Sequence, residues 1–181
     1  MGKILVHEFI SLDGVMENPT WTFDYGFDPK MGETLVGVTG RSKAILLGRR
    51  TYEQFYPAWS TRTAEEDPGA PFFNETPKYV VSSTLESAEW NNSTILGAYD
   101  ADRIRSLKDE VDGDIYVSGS GMLVQALLDD GLADELHLFV YPVALGTGLR
   151  LFPEGSQTQL ALAGTDVYDN GVVHLNYAPA R

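Results

Sequence analysis

The chain has 181 residues, 43% hydrophobic and 22% charged, a composition that suits one globular domain with a sizeable core. Its formal net charge of −13 argues against a nucleic-acid partner and against adhesion to anionic membranes, since both want a basic face. With no cysteine, disulfides, thiolate metal sites and cysteine nucleophiles are excluded.

The start, Met1 to Phe9, is too short for a signal or spanning segment and has His7 and Glu8 inside it, so a soluble, cytoplasmic protein is expected. Ile4–Ile10 reads as a strand bounded by Gly2 and the Asp13-Gly14 pair. Ser11–Pro29 is rich in Gly, Pro and Asp, with Trp21, Phe23, Tyr25 and Phe27 at alternate positions. Those aromatics predict an ordered loop, either covering something or packed on the core. Asp28 before Pro29 has the form of an N-cap with proline at the first helical position, and the helix should run to about Thr39. Ala44–Leu47 fits a short buried strand. Gly48 ends it, Arg49 and Arg50 follow, and Thr51 is the expected N-cap of a helix that Pro57 stops.

Ser60–Glu75 reads as a surface loop and Lys78–Val81 as a strand ending in Ser82-Ser83-Thr84. Ser93–Leu96 could be another short strand. Asp102 is expected to cap a helix to Glu110, with Ile104, Leu107 and Val111 at helical spacing. Asp114–Ser118 is a buried-type strand that runs into Gly119-Ser120-Gly121 and a helix from Met122 to Asp130. Glu135–Val143 is a long strand. Gln159–Tyr168 and Val172–Tyr177 alternate around Asp169-Asn170-Gly171, a strong hairpin signal. Strand–helix alternation followed by a hairpin predicts an α/β sheet, mostly parallel, with antiparallel strands at one edge.

Two turns carry candidate chemistry. Backbone amides at a helix start favour anions, Gly48 allows close approach, and arginine forks match phosphate oxygens. The competing reading is an ordinary strand–helix turn with solvated arginines. The Gly119-Ser120-Gly121 turn has the same form. It is not the dinucleotide fingerprint, because Val124 stands where the third glycine would be, and it is neither a P-loop nor a serine-hydrolase elbow. Two such turns in one parallel sheet, with Ser82-Ser83-Thr84 at the same edge, favour a phosphate site for a nucleotide. His7, His137 and His174 each fall within an expected strand, none with a metal-ligand spacing partner, so no metal site is expected.

Leu47–Glu53, Val80–Thr84 and Val117–Gly121 resemble, in order and spacing, the three cofactor segments of the dihydrofolate reductase fold. Ser11-Leu12-Asp13-Gly14-Val15, Asp134-Glu135-Leu136, Pro142 and Leu145-Gly146 extend the likeness over nearly the whole chain. The closer resemblance is to the reductase domain of bifunctional riboflavin-biosynthesis enzymes and its small stand-alone relatives. It implies a three-layer α/β fold over residues 1–181, NADPH as cofactor, a small-molecule substrate and a homodimer. By that resemblance Gly48, Arg49, Arg50 and Thr51 hold the 2′-phosphate and pyrophosphate side. Ser82 and Ser83 line the adenosine end. Gly119, Ser120, Gly121 and Met122 take the pyrophosphate and ribose, and the loop at Gly14 and Val15 lies over the nicotinamide.

In the family a carboxylate early in the first helix donates the proton. That position falls on Gly32 here, which leaves Glu33 and Asp28 as the nearby candidates. The expected function is NADPH-dependent hydride transfer to a pterin-like or pyrimidine-like heterocycle or to a carbonyl. The alternative is a nucleotide-binding module without turnover.

Overall fold

Apolar residues on both sides of Ile4–Ser11 give β1 two buried faces, which places it inside a sheet rather than at an edge. In this computed structural model, which describes residues 1–180, β1 pairs in parallel with β5 (Asp114–Ser118) and with β6 (Glu135–Tyr141). β5 pairs in parallel with β2 (Ser42–Gly48), β2 with β3 (Lys78–Val81), and β3 with β4 (Ser93–Gly97). β7 (Leu160–Val167) and β8 (Val173–Pro179) form an antiparallel hairpin, and β8 joins β6 antiparallel. The order across the sheet is β4-β3-β2-β5-β1-β6-β8-β7. Gly171 N–H donates to the Tyr168 carbonyl in the hairpin turn, as the Asp-Asn-Gly signal predicts.

Among the described residues, five α-helices cover the two faces: α1 (Pro29–Thr39), α2 (Arg49–Trp59), α3 (Ala70–Glu75), α4 (Ala101–Glu110) and α5 (Gly121–Asp129). Ile104 and Leu107 of α4 and Leu123, Val124 and Leu127 of α5 pack with Ile4, Val6 and Val117 on one face. Tyr52 of α2 and Phe73 of α3 pack with Leu5 and Ile45 on the other, where Met31 of α1 meets Phe139 and Tyr141. The expected three-layer α/β architecture with its C-terminal hairpin is therefore present.

Several local expectations need correction. Thr51 is not an N-cap: α2 begins at Arg49, and Gly48 occupies the cap position in an extended conformation. Pro57 lies within α2, in its last turn. There the missing amide costs one bond near the helix end, and Ser60 N–H still reaches the Tyr56 carbonyl. Asp100, not Asp102, caps α4, its Oδ1 accepting from the amides of Asp102 and Arg103. The region read as a loop contains α3, which Pro71 opens. Residues Pro19–Tyr25 form a short 3-10 helix within the aromatic loop. Trp21 and Tyr25 from that helix pack edge-on against Tyr141, whereas Phe23 and Phe27 are exposed.

Two polar features hold the layers in register. A row of side chains crosses the sheet beneath α1. Glu135 Oε2 lies 3.2 Å from His137 Nε2, His137 Nδ1 lies 3.1 Å from His174 Nε2, and His174 Nδ1 lies 3.0 Å from Asp166 Oδ2. Lys3 and Arg41 pair with Glu135 at one end, each at 2.8 Å. Lys78, at 0% exposure, serves the other half of the molecule. Its ammonium donates to the carbonyls of Phe73 at 2.6 Å and Thr76 at 2.9 Å, at the C-terminal end of α3. It also lies 4.5 Å from the centre of the Trp90 ring.

Lys78→Met keeps the stem but leaves those carbonyls unpaired. It should lower stability by about 2–3 kcal/mol, read as a lower midpoint in urea unfolding.

Candidate functional site

Because β3, β2, β5 and β1 run in parallel, their C-terminal ends share one edge of the sheet. The three turns singled out from sequence stand there side by side: Ser82 after β3, Gly48 at the end of β2 and Gly119 after β5. From β3 to β1 is three strand spacings, about 14 Å.

The two glycine turns are joined. Gly48 N–H donates to Ser120 Oγ at 2.8 Å, and Ser120 Oγ lies 2.8 Å from Thr51 Oγ1. Gly119 (φ 62°) and Ser120 (φ 60°) are both left-handed, which turns the chain sharply before α5. A side chain at Gly119 would strike Thr51, because a Cβ there would lie 2.9 Å from Thr51 Oγ1. Thr51 is buried and braces this junction, a contact across 69 residues that no local pattern signals.

Helices α1 and α4 are capped by the side chains of Asp28 and Asp100, but α2 and α5 have no side-chain cap. Their first amides meet at this edge, so the partial positive charge of two helix starts converges there. Arg49 and Arg50 are exposed at the start of α2. Arg49 Nη1 reaches Glu53 at 3.3 Å, a solvent-screened contact that a stronger anion can replace. Arg50 has no salt bridge among the described residues. Met122, 79% exposed, stands on the first turn of α5. Ser82 Oγ accepts from the amides of Thr84 and Leu85, at 3.2 and 2.9 Å, and so shapes its own turn, while Ser83 is exposed.

The Asp13–Met16 loop is pinned against the same edge. Asp13 accepts from the Ser11 hydroxyl, from Leu145 N–H at 3.0 Å and from Gly146 N–H at 2.7 Å. The Ser11 hydroxyl, then those amides, hold its carboxyl down to about 2. Val15 bridges to Arg150, and Met16 N–H donates to the Leu149 carbonyl at 2.9 Å. Gly14 (φ 83°) makes the turn. Met16 lies against Gly121, where a Cβ would come within 2.9 Å of its sulfur, so the loop rests on the start of α5. Of this loop it is Met16 that touches the start of α5, while Val15 is buried and Gly14 is partly exposed.

The two carboxylates considered as proton donors are differently placed. Asp28 is engaged at both oxygens: Oδ1 accepts from Lys30 N–H at 2.8 Å and Oδ2 from Asp169 N–H at 3.0 Å. Glu33 is exposed on α1. His7 is 4% exposed and its Nδ1 lies 2.6 Å from the Tyr116 hydroxyl. Burial, then the fields of His137 and His174, push its pKa down to about 3. A residue that the sequence reading used only to reject a membrane segment, Glu8, proves to be buried with Oε2 3.2 Å from Gly119 N. An acidic residue inside a mostly apolar, buried strand was the available signal. A shallow groove of about 370 Å³ lined by Thr39, Ser42, Lys43, Phe72 and Thr76 lies at the opposite end of β2 and shares no residue with this edge. Among the described residues, no group of three or more His, Asp or Glu side chains could hold a metal ion.

Comparison with known proteins agrees with the fold. A family model described as the RibD C-terminal domain matches residues 2–174. The uncharacterized proteins YyaP and YwjB of Bacillus subtilis (strain 168) are each 28% identical over 185 residues. The YyaP match covers 97% of this chain and 94% of that protein, and the YwjB match 98% of both. A crystal structure of a candidate riboflavin biosynthesis protein from Shewanella sp. PV-4 superposes with a TM-score of 0.81 at 20% identity, covering 99% of each chain. A pyrimidine reductase-like protein from Corynebacterium diphtheriae superposes with a TM-score of 0.67 at 15% identity, covering 99% of this chain and 92% of that one. The dihydrofolate reductase-like fold anticipated from the three segments is the one found.

Ser120→Ala should leave the Gly48 amide and the Thr51 hydroxyl without their partner and lower stability by about 1–2 kcal/mol in chemical denaturation. Asp13→Ala should speed hydrogen exchange at the Leu145 and Gly146 amides. In the unsubstituted chain the same protection is present above the ordinary value of 3.8 and is lost as pH falls toward about 2, because the folded-state value is depressed.

Proposed function

As the chain belongs to the RibD C-terminal domain family, we propose that it is an NADPH-dependent reductase acting on a small heterocycle, pyrimidine-like or pterin-like, or on a carbonyl. The observation that carries this reading is the meeting of two uncapped helix starts, α2 and α5, at one strand edge beside two exposed arginines. Such an edge suits a pyrophosphate between the helix starts. Arg49 and Arg50 would take the 2′-phosphate, a group that NADH lacks. Gly48 and Gly119–Met122 would line the pyrophosphate, Ser82 and Ser83 the adenosine end, and Gly14 and Val15 the nicotinamide end. NADPH would supply the hydride. The chain's own part is to bind and orient it, and to place the acceptor under the Ser11–Pro29 segment, where Phe23 and Phe27 are exposed apolar surface. On this reading the protein works in the cytoplasm, as a homodimer.

A second reading, a nucleotide-binding module without turnover, draws on the state of the first-helix acids. Asp28 spends both oxygens on backbone amides, and Glu33 is a solvated helix charge. Oxidation of NADPH with any of a panel of pterins, pyrimidines and small carbonyls would exclude it.

Calorimetry with NADPH and NADH tests the cofactor. NADPH should bind more tightly, and Arg49→Ala with Arg50→Ala should weaken NADPH by tenfold or more, about 1.4 kcal/mol at least, with little change for NADH. Equal affinity for the two dinucleotides would remove the role given to the arginines.

A further inference from the structure

Glu8 sits within β1, three residues before its end, and the pleat turns it away from His7 and Phe9 onto the face that α5 covers. It is 3% exposed. Oε2 accepts from Gly119 N–H at 3.2 Å, while Oε1 is buried with no hydrogen-bond partner. The groups packed on that face are apolar: Val6 from β1, Val117 from β5, Leu138 from β6, Val124 from α5, and Met16 from the loop. No salt bridge involves Glu8 among the described residues. The titratable group that feels its charge is the Tyr116 phenol of β5, which burial and then a charged Glu8 make harder to ionise. One amide is far too little to stabilise a buried carboxylate.

We propose that Glu8 is a positioning residue for the Gly119–Gly121 turn: as a neutral acid it holds the turn open to an anion, and as a carboxylate it closes it. This inference rests on the cofactor site assigned above. The link is the Gly119 amide, which belongs to the turn whose following amides open α5. With the carboxyl protonated, the partial positive charge of the helix start faces a ligand unopposed. With it ionised, a full negative charge lies one hydrogen bond beneath the turn, draws the amide inward and repels phosphate. Burial, opposed in part by the Gly119 amide, keeps the proton on well above the ordinary value of 4.5. Anion affinity is therefore present while the proton is held and falls as pH rises through the folded-state value. Folding stability has the same sign. The unfolded chain releases this proton near 4.5 and the folded chain only at higher pH, so stability declines as pH rises between the two.

Glu8→Gln keeps the shape and the accepting oxygen but cannot ionise. Affinities of both proteins for inorganic pyrophosphate and for NADPH are measured by calorimetry across a pH range that spans the Glu8 midpoint, and the ratio between proteins cancels titration of the ligands. Relative to Glu8→Gln, the unsubstituted chain should lose about tenfold in affinity per pH unit above the Glu8 midpoint. That midpoint is read from the carboxyl carbon-13 shift of the unliganded protein, and the Gly119 amide shift should follow it. Parallel affinity profiles for the two proteins overturn the proposal, and so does a Glu8 carboxyl that titrates near 4.5. If the variant does not fold, the carboxyl and Gly119 titrations of the unsubstituted chain decide alone. Pyrophosphate binding that tracks Glu8 while NADPH fails to bind upholds this inference and removes the cofactor reading. No binding of either anion removes both.

Discussion

One hydroxyl joins the two halves of the candidate site. Ser120 Oγ accepts from Gly48 N–H and meets Thr51 Oγ1, so the ends of β2 and β5 and the starts of α2 and α5 form one unit. Parallel pairing brings those ends to one edge but does not set their separation. The serine sets it, and does so from a left-handed backbone conformation that disfavours an L-residue by about 1 kcal/mol. Glycine would relax that strain, but only a side chain can carry the hydroxyl across to its neighbours. The position trades local ease for a tertiary contact, and every assignment at this edge depends on the result.

How much could be read beforehand follows the range of the interaction. Asp28 and Pro29 marked the start of α1 and its end fell at Thr39 as expected, because capping chemistry is written in adjacent residues. Strand–helix alternation and the Asp169-Asn170-Gly171 turn were legible for the same reason. Thr51 was misplaced because glycine can serve as a cap by conformation alone, without a side-chain signature. Its true partner is Ser120, and nothing near Thr51 announces a residue so distant in the chain. Glu8 was visible as an oddity in β1, but its meaning required knowing that β5 is its neighbour. On the proposed reading the cofactor side is therefore more legible than the substrate side, because glycine turns at helix starts are built from consecutive residues, whereas a pocket for the acceptor would have to be assembled from distant parts of the chain.

Charge at the site runs against charge on the whole. A chain of net charge −13 offers an anionic ligand a repulsive long-range field, and two arginines with two helix starts provide attraction only close by. Screening by salt weakens the distant repulsion more than the near contacts. Encounter with the proposed dinucleotide would then be favoured by moderate ionic strength rather than hindered by it.

The row Glu135–His137–His174–Asp166 has a consequence of parity. It contains three gaps between possible acceptors, and two neutral imidazoles bring two N–H groups. With both rings neutral and both carboxylates ionised, one gap must be empty. Glu135 is only 14% exposed and is held by Lys3 and Arg41, whereas the Asp166 side chain is 57% exposed. Orienting both protons toward Glu135 leaves the vacancy at the solvent-exposed Asp166. That ordering fixes the tautomer of each ring and makes the hydrogen bonding of the sheet directional, closed at its centre and open at its rim.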